Sequence, residues 1–392
     1  MIWQLFHYLE FLLWLFFTGS VGYVAFFALA SIRRHQQVTP KSTSPQTRFL
    51  VVYPAYHEDR VIHQSVSTFL QQDYPQELYH LAVVSDHMTQ ETNDWLAAQR
   101  LTLLQPVFEK SSKAKALQYV IQHFKNEKTL AGSFDRIVIL DADNVVSPDF
   151  LSNLDAVCQQ GYRAIQCHRT AKNANNDIAA LDGISEEINN SLFRRAHNNI
   201  GFSSALIGSG MCFDYEWFCN HVGLLSSAVE DREIETYLAL EKIHVRYEEN
   251  ILVMDEKVSA SDNFERQRLR WMTGQVQSLF SMTPHLPKAI CTGNINYIDK
   301  TVQQALIPRS ILLVMLPVIA ILISILAWTW AIKWWVLFLV LCISLFIAIP
   351  RPLRSRALIG KVLALPALSF RMVKNIFHIK KSNTDFLHTT HG

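Results

Sequence analysis

The sequence predicts an α/β protein, in which a parallel sheet is covered by helices and membrane-spanning helices stand before and after it. Three observations lead to this prediction. Strand and helix patterns alternate from residue 48 onward, long uncharged apolar segments flank this region, and polar residues cluster where the strands end. Alternation of strands and helices is typical of sheets whose strands run parallel.

The alternation predicts four strands and three helices in the first part of the region. The strands are "RFLVVYPAY", "YHLAVVSDH", "TLLQPVF" and "RIVILDAD", and the helices between them are "HEDRVIHQSVSTFLQQ", "TQETNDWLAAQ" and "SSKAKALQYVIQHFKN". Several strands run into polar residues, namely Tyr56, His57 and Glu58, then Asp86, then Asp141 and Asp143. Because the carboxyl ends of parallel strands share the edge where α/β proteins bind ligands, we expect these side chains to line one site.

Three apolar segments are long enough to cross a membrane. Phe11 to Ala30 is a run of 20 residues without a charge, and a bilayer requires about 20. Ile311 to Ala331 and Trp334 to Ile349 follow the α/β region and predict a helical hairpin. Four tryptophans are expected at the outer turn of that hairpin: Trp328, Trp330, Trp334 and Trp335. The alternative is a hairpin buried in a soluble core.

Basic residues favour one orientation of these helices. They follow the first segment (Arg33, Arg34, Lys41), precede the second (Lys300, Arg309) and follow the third (Arg351, Arg354, Arg356), whereas the opposite ends offer only Lys333. Positively charged flanks stay in the cytoplasm. We therefore expect a multi-pass protein of the inner or cell membrane, with residues 31–310 and the C-terminal tail in the cytoplasm.

The composition excludes two classes of function. The 36 basic and 34 acidic residues nearly balance, so no nucleic-acid partner is expected, because such partners require a basic surplus or patch. The six cysteines form no CxxC pair. This argues against a zinc site or a disulfide framework and for buried thiols in a reducing compartment.

These patterns divide the chain into consecutive parts. A transmembrane helix (1–34) and a linker (35–47) precede a cytoplasmic α/β domain (48–280). Interfacial helices (281–310) and a transmembrane hairpin (311–350) follow it. The segment 351–392 mixes basic and apolar residues and predicts an amphipathic interface helix with a tail.

Asp141 and Asp143 stand one residue apart at the end of a strand, where their like charges repel. Three interpretations are open. The pair caps the helix that begins near Ser147, or one member is the nucleophile of a phosphotransferase of the haloacid-dehalogenase type. Alternatively, the pair holds Mg²⁺ or Mn²⁺, which in turn binds a diphosphate. Lys113, at a helix start, could meet a phosphate with its charge and the helix N-terminus.

Two later segments also suit ligand binding. Glu230 and Asp231 open a helix, where acidic residues can also simply compensate the helix dipole. Gly208 and Gly210 flank a serine, and glycines there either form a plain turn or let the backbone approach a ligand.

A third segment, "QRLRW", combines a tryptophan with basic and amide side chains in one helix. The tryptophan is either a membrane-surface anchor or a flat face on which a sugar stacks. In the second case, Gln267 and Arg270 could reach oxygen atoms of a phosphate or saccharide.

Seven motifs follow one another along the chain: "YPAYHE", "VSDH", "KAKAL", "DADN", "GSG", "EDRE" and "QRLRW". This ordered set, framed by membrane helices, resembles the membrane-embedded family 2 glycosyltransferases. Cellulose, chitin, hyaluronan and poly-N-acetylglucosamine synthases belong to that family. Each motif alone is weak, but the ordered set over residues 48–280 is specific. The resemblance implies a GT-A (Rossmann-like) domain with a mixed, mostly parallel sheet. It also implies hexosyl transfer with inversion from a nucleotide sugar, with a UDP-sugar as the expected donor and Mg²⁺ or Mn²⁺ as the cofactor.

The resemblance further implies a role for each motif residue. The nucleoside would be held by Tyr53, Ala55, Glu58 and Asp86, and the diphosphate would be contacted by Lys113. Asp141 would lie near the diphosphate and sugar, with Asp143 as metal ligand and Asp231 as general base. The acceptor and pyrophosphate platform would be Gln267, Arg268, Arg270 and Trp271, and the acceptor loop would include Gly208, Ser209, Gly210 and Glu230.

The chain departs from the family pattern in three ways. It has His57 where asparagine is usual, "VED" where synthases of long polymers often have "TED", and few membrane segments for a polysaccharide channel. The QRLRW motif favours a processive synthase that extends and exports a β-linked polysaccharide, completed by a homo-oligomer or an accessory subunit. The few helices favour the alternative, a transferase that adds one sugar to a lipid or lipid-linked acceptor. A membrane-anchored regulator with an inactive site is a third hypothesis.

Overall fold

The computed structural model describes residues 2–33, 46–127, 134–172, 177–227, 229–256 and 261–354, without the side chains of residues 2, 177, 178 and 261–270. Most of the predicted linker and of the predicted amphipathic segment lies outside these ranges. The strands are β1 (Phe49–Tyr56), β2 (Tyr79–Asp86), β3 (Thr102–Leu104), β4 (Arg136–Ile139), β5 (Val145–Val146), β6 (Ala164–Ala171), β7 (Met211–Asp214) and β8 (Val245–Asp255).

The α-helices are α1 (Ile2–Ala30), α2 (Asp59–Phe69), α3 (Gln90–Ala97), α4 (Lys113–Asn126), α5 (Phe150–Cys158), α6 (Asp177–Asn189), α7 (Ala196–Asn199), α8 (Tyr215–His221), α9 (Glu230–Leu240), α10 (Ser261–Met282), α11 (Leu286–Cys291), α12 (Ile295–Ala305), α13 (Arg309–Leu326) and α14 (Trp328–Ala348). A π-helical segment, Asn190–Arg195, joins α6 to α7. Short 3₁₀ segments span Gln76–Leu78, Val222–Leu224, Thr283–His285 and Arg351–Leu353.

The strands form one eight-stranded sheet in the order β3-β2-β1-β4-β7-β6-β8-β5. β1 pairs in parallel with β2 and β4, β2 with β3, and β6 with β8. β7 runs antiparallel between β4 and β6, and β5 runs antiparallel beside β8. The predicted α/β class with a mixed, mostly parallel sheet is confirmed. The predicted strands and helices of the first part are all present, although β3 and β4 are shorter than predicted.

β1 lies inside the sheet and is buried on both faces, which explains its nearly continuous apolar sequence. Alternate side chains of a strand point to opposite faces. Leu50 and Val52 pack with side chains of α4, α8 and α9, whereas Phe49, Val51 and Tyr53 pack with α2 and α5. Helices therefore cover both faces of the sheet, as the alternation in the sequence predicts.

One edge of the sheet collects the polar segments. β1, β2 and β4 are parallel, so their carboxyl ends lead to this edge, with Asp141 just beyond β4. β7 is antiparallel to β4 and begins at the same edge, so residues 208–210, just before β7, stand beside Asp141. β6 and β8 also end there, because β6 is antiparallel to β7 and parallel to β8. The antiparallel strand thus brings distant parts of the sequence to one place.

Three helices in the described part of the chain are long and apolar enough to cross a membrane: Trp3–Ala30, Arg309–Leu326 and Trp328–Ala348. α14 lies between α1 and α13 and packs against both. Leu316, Ala320 and Leu341 are among the apolar side chains buried in this bundle. Large apolar side chains such as Ile325 and Leu339 are exposed on its outside, as a lipid-facing surface requires.

The hairpin turns at Ala327, not near Lys333 as predicted, so Lys333 and Trp334 lie inside α14. Glu10 of α1 provides the physical reason. Its carboxylate accepts the Trp334 indole N–H at 2.5 Å and pairs with the Lys333 ammonium at 2.6 Å. Charges near a membrane interior are tolerated when they pair with each other. Trp328 and Trp330 stand at the turn, as predicted, whereas Trp334 lies further along α14, where its side chain is fully buried.

Candidate active site

The loop that carries Asp141 and Asp143 is held by hydrogen bonds on both sides. The Asp141 N–H donates to Asn144 Oδ1 at 3.0 Å and to Ser209 Oγ at 3.2 Å. Asp143 Oδ1 accepts from the Asn144 amide and Oδ2 from the Glu256 N–H, each at 2.9 Å. Asp143 is therefore buried and fixed in orientation, whereas the Asp141 side chain remains 35% exposed.

Lys113, the first residue of α4, connects this loop with the second acidic cluster. Its ammonium lies 2.5 Å from Asp141 Oδ1, 2.5 Å from the Gly208 carbonyl oxygen and 3.6 Å from Glu230 Oε1. Burial opposes the charge of Lys113, but the carboxylates of Asp141 and Glu230 outweigh this effect and raise the pKa of Lys113. The lysine is therefore a cation placed between two groups of carboxylates.

The glycine loop, residues 208–210, passes between Lys113 and Asp231. Its two glycines have φ of +80° and +64°, conformations that side chains disfavour. A Cβ on Gly208 would lie 3.6 Å from Asp231 Oδ2 and 4.0 Å from the Lys113 ammonium. The loop is thus a wall of the site, and not a turn remote from it.

The acidic pair Glu230–Asp231 opens α9 beside this loop. Asp231 Oδ1 accepts the Arg232 N–H at 2.9 Å, and Oδ2 lies on the side of Gly208. Glu230 is buried next to Lys113. Burial, partly opposed by Lys113, raises the pKa of Glu230 to about 7. A buried acid that exchanges its proton near neutral pH beside another carboxylate is typical of active sites.

The ends of β1 and β2 form the far side of the edge. His57 and His87 follow these strands with φ of +54° and +57°, and their ring centroids lie 5.5 Å apart. Asp86 is buried, with Oδ1 2.6 Å from His87 Nδ1, and the Glu58 N–H donates to Met88 Sδ at 3.1 Å. Positive φ in non-glycine residues is uncommon and concentrates at functional sites. The structure thus places Glu58 and Asp86 together, as the sequence predicts.

The structure corrects the assignment of Tyr53 and Ala55 to direct nucleoside contact. Their side chains are 0% and 2% exposed and belong to the core beneath the edge. The Tyr53 hydroxyl lies 3.5 Å from the Asn144 carbonyl oxygen. The Tyr53 ring therefore supports the Asp141 loop from below and offers no surface to a nucleoside.

Arg169 on β6 is a site residue that the sequence analysis did not single out. It is buried and pairs with Glu186 and Asp255 at 3.3 Å each. Burial opposes its charge, but the carboxylates of Asp255 and Glu186 raise the pKa of Arg169, and the charges of Asp141 and Asp143 act in the same direction. The sequence did contain an indication of this. Ile165, Cys167 and Arg169 are spaced by two residues, so the arginine shares a strand face with two apolar residues, where a charge requires a partner.

Gln166, also on β6, is a second buried polar residue that the sequence analysis did not single out. It is fully buried, accepts the Ile207 N–H at 3.0 Å and donates to the Ser209 carbonyl oxygen at 2.8 Å. Arg169 donates to the Ile207 carbonyl oxygen at 3.4 Å. Two buried side chains of β6 thus hold the glycine loop in its conformation.

α10, which carries QRLRW, packs closely against the residue before the acidic pair. A Cβ on Gly274 would lie 2.6 Å from Val229 Cγ1, so glycine is needed for this approach. Trp271 is partly buried and lies one turn before Gly274 on the same helix face. This places Trp271 on the side of α10 that faces α9. The side chains of Gln267, Arg268 and Arg270 lie outside the described residues, so their role stays a prediction.

Gly274→Ala is expected to destabilise the protein by about 1–3 kcal/mol, the usual cost of overpacking. The reason is the overlap of the new methyl group with Val229. In an unobstructed helix the same substitution stabilises by about 1 kcal/mol, so the sign of the change is informative. Thermal unfolding in detergent measures it.

Gly22→Ala is the matched control, because Gly22 is also helical and nothing lies within 4 Å of its Cβ position. Adding Val229→Ala to Gly274→Ala removes the overlapping Cγ atoms and is expected to recover most of the stability. A Gly274→Ala variant that is more stable than the wild type would contradict the packing of α10 on residue 229.

The carboxylates at the edge suit a cation whose shell is completed by a substrate. In the ranges that the structure describes, no group of three or more His, Cys, Asp or Glu could hold a metal ion by itself. Mg²⁺ commonly uses one or two carboxylates together with substrate phosphates and water, which Asp141 and Asp143 could match. Helix capping does not explain the pair, because Asp149 precedes α5.

Comparison with known proteins identifies the family. The model of "Glycosyltransferase like family 2" matches residues 45–274, more than half of the chain. No protein of curated function matches the sequence significantly. The mannosyltransferase PcManGT from Pyrobaculum calidifontis, solved with GDP-Man and Mn²⁺, is 17% identical with a TM-score of 0.55, over 93% of this chain and 96% of that one.

Two other solved structures show weaker similarity. S. aureus TarS 1–349 with UDP-GlcNAc is 11% identical, with a TM-score of 0.38 over 59% of this chain and 66% of that one. Glucosyl-3-phosphoglycerate synthase from Mycobacterium tuberculosis, solved with Mn²⁺, UDP and phosphoglyceric acid, is 16% identical. Its TM-score is 0.39, over 58% of this chain and 76% of that one. The family match and the fold of the mannosyltransferase confirm the GT-A fold and favour a glycosyltransferase over the phosphotransferase. The chain belongs to the glycosyltransferases of family 2.

Proposed function

We propose that the protein transfers a sugar, with inversion and with a divalent cation, from a nucleoside-diphosphate sugar to a hydroxyl group at the cytoplasmic face of a membrane. A UDP-sugar is the first donor to test. The observation that carries the proposal is the position of Lys113, which lies within 3.6 Å of carboxylates from both acidic clusters. Groups suited to a diphosphate and a group suited to accept a proton therefore face the same small volume.

The chemistry assigns a step to each side of that volume. Asp231 would accept the proton of the acceptor hydroxyl as its oxygen attacks the anomeric carbon. The bond from that carbon to the diphosphate would break, and its electron pair would leave with the nucleoside diphosphate. Lys113, at the N-terminus of α4, would stabilise the negative charge that develops there. A divalent cation held by Asp143 and Asp141 would supply further positive charge when bound.

The nucleoside would lie at the ends of β1 and β2. Asp86 is buried beside His87, and Glu58 follows His57 at the neighbouring strand end. Acceptors of this kind can take hydrogen bonds from ribose hydroxyls and base N–H groups. Because similar structures contain GDP-Man and UDP-GlcNAc, the donor panel needs both nucleotides.

Two acceptors fit this chemistry: a growing β-linked polysaccharide and a lipid or lipid-linked acceptor. The QRLRW segment supports the first. The packing of α1, α13 and α14 around apolar side chains such as Leu316 and Leu341 supports the second. A polar polysaccharide chain would find little hydrogen bonding in such an interior. Polymer export would therefore require a second copy of the chain or an accessory subunit.

The proposal is tested with the purified full chain in lipid nanodiscs. Labelled UDP-glucose, UDP-N-acetylglucosamine and GDP-mannose are supplied with membrane-lipid extract and with Mg²⁺, Mn²⁺ or EDTA. We expect one donor to be consumed in a cation-dependent reaction whose product has the opposite anomeric configuration by NMR. Product size separates polymer extension from single addition. Retention of configuration, or equal rates in EDTA, would contradict the proposed mechanism.

A further inference from the structure

We infer that Glu235 and Lys300 form a positioning pair that fixes the proposed base Asp231 and the glycine loop from the membrane side of the site. The inference rests on the proposed function, because it gives the pair its purpose. Neither residue belongs to a motif of the sequence, and neither contacts the volume around Lys113 directly in the contacts described.

Glu235 restrains two walls of the site with one carboxylate. It follows Asp231 by four residues, so the two side chains lie on the same face of α9. Its Oε1 accepts the N–H of Leu206 at 3.2 Å, two residues before Gly208. The distance between α9 and the glycine loop, and hence between Asp231 and Gly208, therefore depends on this bond.

Lys300 on α12 holds the same carboxylate from the other side. Its ammonium lies 3.1 Å from Glu235 Oε1, and its side chain is 1% exposed. Within the described residues its Nζ makes no hydrogen bond of good geometry. A buried ion pair with so few partners contributes little to stability, because desolvation offsets the attraction between the charges. The pair is therefore better explained by the position that it enforces.

α12 is itself tied to both the membrane helices and the site. Asp299, next to Lys300, accepts the hydroxyl of Tyr23 in α1 at 2.7 Å. The side-chain oxygen of Gln304 accepts from Arg232 of α9, and its carbonyl oxygen accepts from Gln275 of α10 at 3.1 Å. α12 thus fixes the two helices that carry Asp231 and Trp271 relative to the membrane, where a lipid-linked hydroxyl would arrive.

The test compares Lys300→Met, Glu235→Met, which removes the acceptor of the Leu206 N–H, and the double variant with the wild type in nanodiscs. The readouts are kcat, the donor KM and hydrogen exchange of residues 206–210 and 230–235 without substrate. For Lys300→Met we expect kcat to fall about tenfold or more, because small displacements of reacting groups are costly, while the donor KM stays within about twofold. Exchange is expected to accelerate in both segments. The double variant leaves no uncompensated charge, so it is expected to fold and to keep the reduced kcat.

Lys242→Met is the control, because Lys242 lies at the opposite end of α9 and its ammonium only approaches the Thr292 carbonyl oxygen at 3.4 Å. Unchanged exchange at 206–210 and 230–235 in both Lys300→Met and the double variant would overturn the inference. The inference would also be overturned if, in Lys300→Met, the donor KM rose by the same factor as kcat fell. A double variant that folds correctly and keeps the wild-type kcat would overturn it as well. The exchange measurement needs no turnover, so it stays decisive even if Asp231 proves not to be the base.

Discussion

Asp231→Asn is expected to lower kcat by a factor of about 10²–10⁴, the usual contribution of a general base, with little change in the donor KM. Asparagine keeps the shape of the side chain, and its Oδ1 can still accept the Arg232 N–H that Asp231 accepts at 2.9 Å. The start of α9 is therefore preserved. What disappears is the proton acceptor beside Gly208. Initial rates with the donor found in the panel give kcat and KM separately.

Glu233→Gln is the matched control in the same helical turn. The Glu233 carboxylate accepts the N–H groups of Ser226 and Ser227, so its role is to hold the loop before α9. We expect this variant to keep a rate within a few-fold of the wild type. Equal losses in Glu233→Gln and Asp231→Asn would point to a structural cause.

Glu230 is the competing base, because burial raises its pKa to about 7 and it lies 3.6 Å from Lys113. Glu230 would be the general base if Asp231→Asn kept more than a tenth of the wild-type transfer rate while Glu230→Gln lost nearly all of it. In that case the ionised form would be the active one. The rate would then rise with pH through about 7, and Glu230→Gln would abolish this rise.

The strands and the carboxylates at their ends were predictable, because both depend on local sequence. The apolar run of β1 is explained by burial on both faces of the sheet. Asp141 and Asp143 come shortly after the end of β4 in the sequence. The clustering of these polar side chains at one edge of the sheet also follows from the parallel pairing of the strands. The exception is Tyr53, whose motif position suggests a ligand contact, although alternation along β1 turns the side chain into the core.

The remaining features depend on contacts between distant segments, which local patterns do not encode. The antiparallel insertion of β7 between β4 and β6 brings the glycine loop to Asp141, and no periodicity predicts such a strand order. Lys300 resembles an ordinary surface charge in the sequence until its buried partner Glu235 is known. The hairpin turn was misplaced because Lys333 reads as a break between helices, whereas Glu10, more than 300 residues earlier, neutralises it within α14.

Asp143→Asn is expected to remove the part of nucleotide binding that depends on a divalent cation and to reduce transfer by about 10²–10³. Both oxygens of Asp143 accept hydrogen bonds, from the Asn144 amide and the Glu256 N–H. An amide in this place must turn its NH₂ group toward one of these donors, which also costs about 1–3 kcal/mol of stability. Affinity for the nucleoside diphosphate, measured by calorimetry with Mn²⁺ and with EDTA, therefore separates the two effects better than activity does.

Asp149→Asn supplies the control, because Asp149 is an exposed aspartate of the same segment that accepts hydrogen bonds from Ser147 and Asn153. It is expected to bind nucleotide like the wild type in both conditions. An equal loss of affinity with Mn²⁺ and with EDTA in Asp143→Asn would mean that the carboxylate supports the loop and not an ion. In that case Lys113 would be the positive group that binds the diphosphate. Its ammonium lies 2.5 Å from Asp141, one of the two residues proposed to hold the cation.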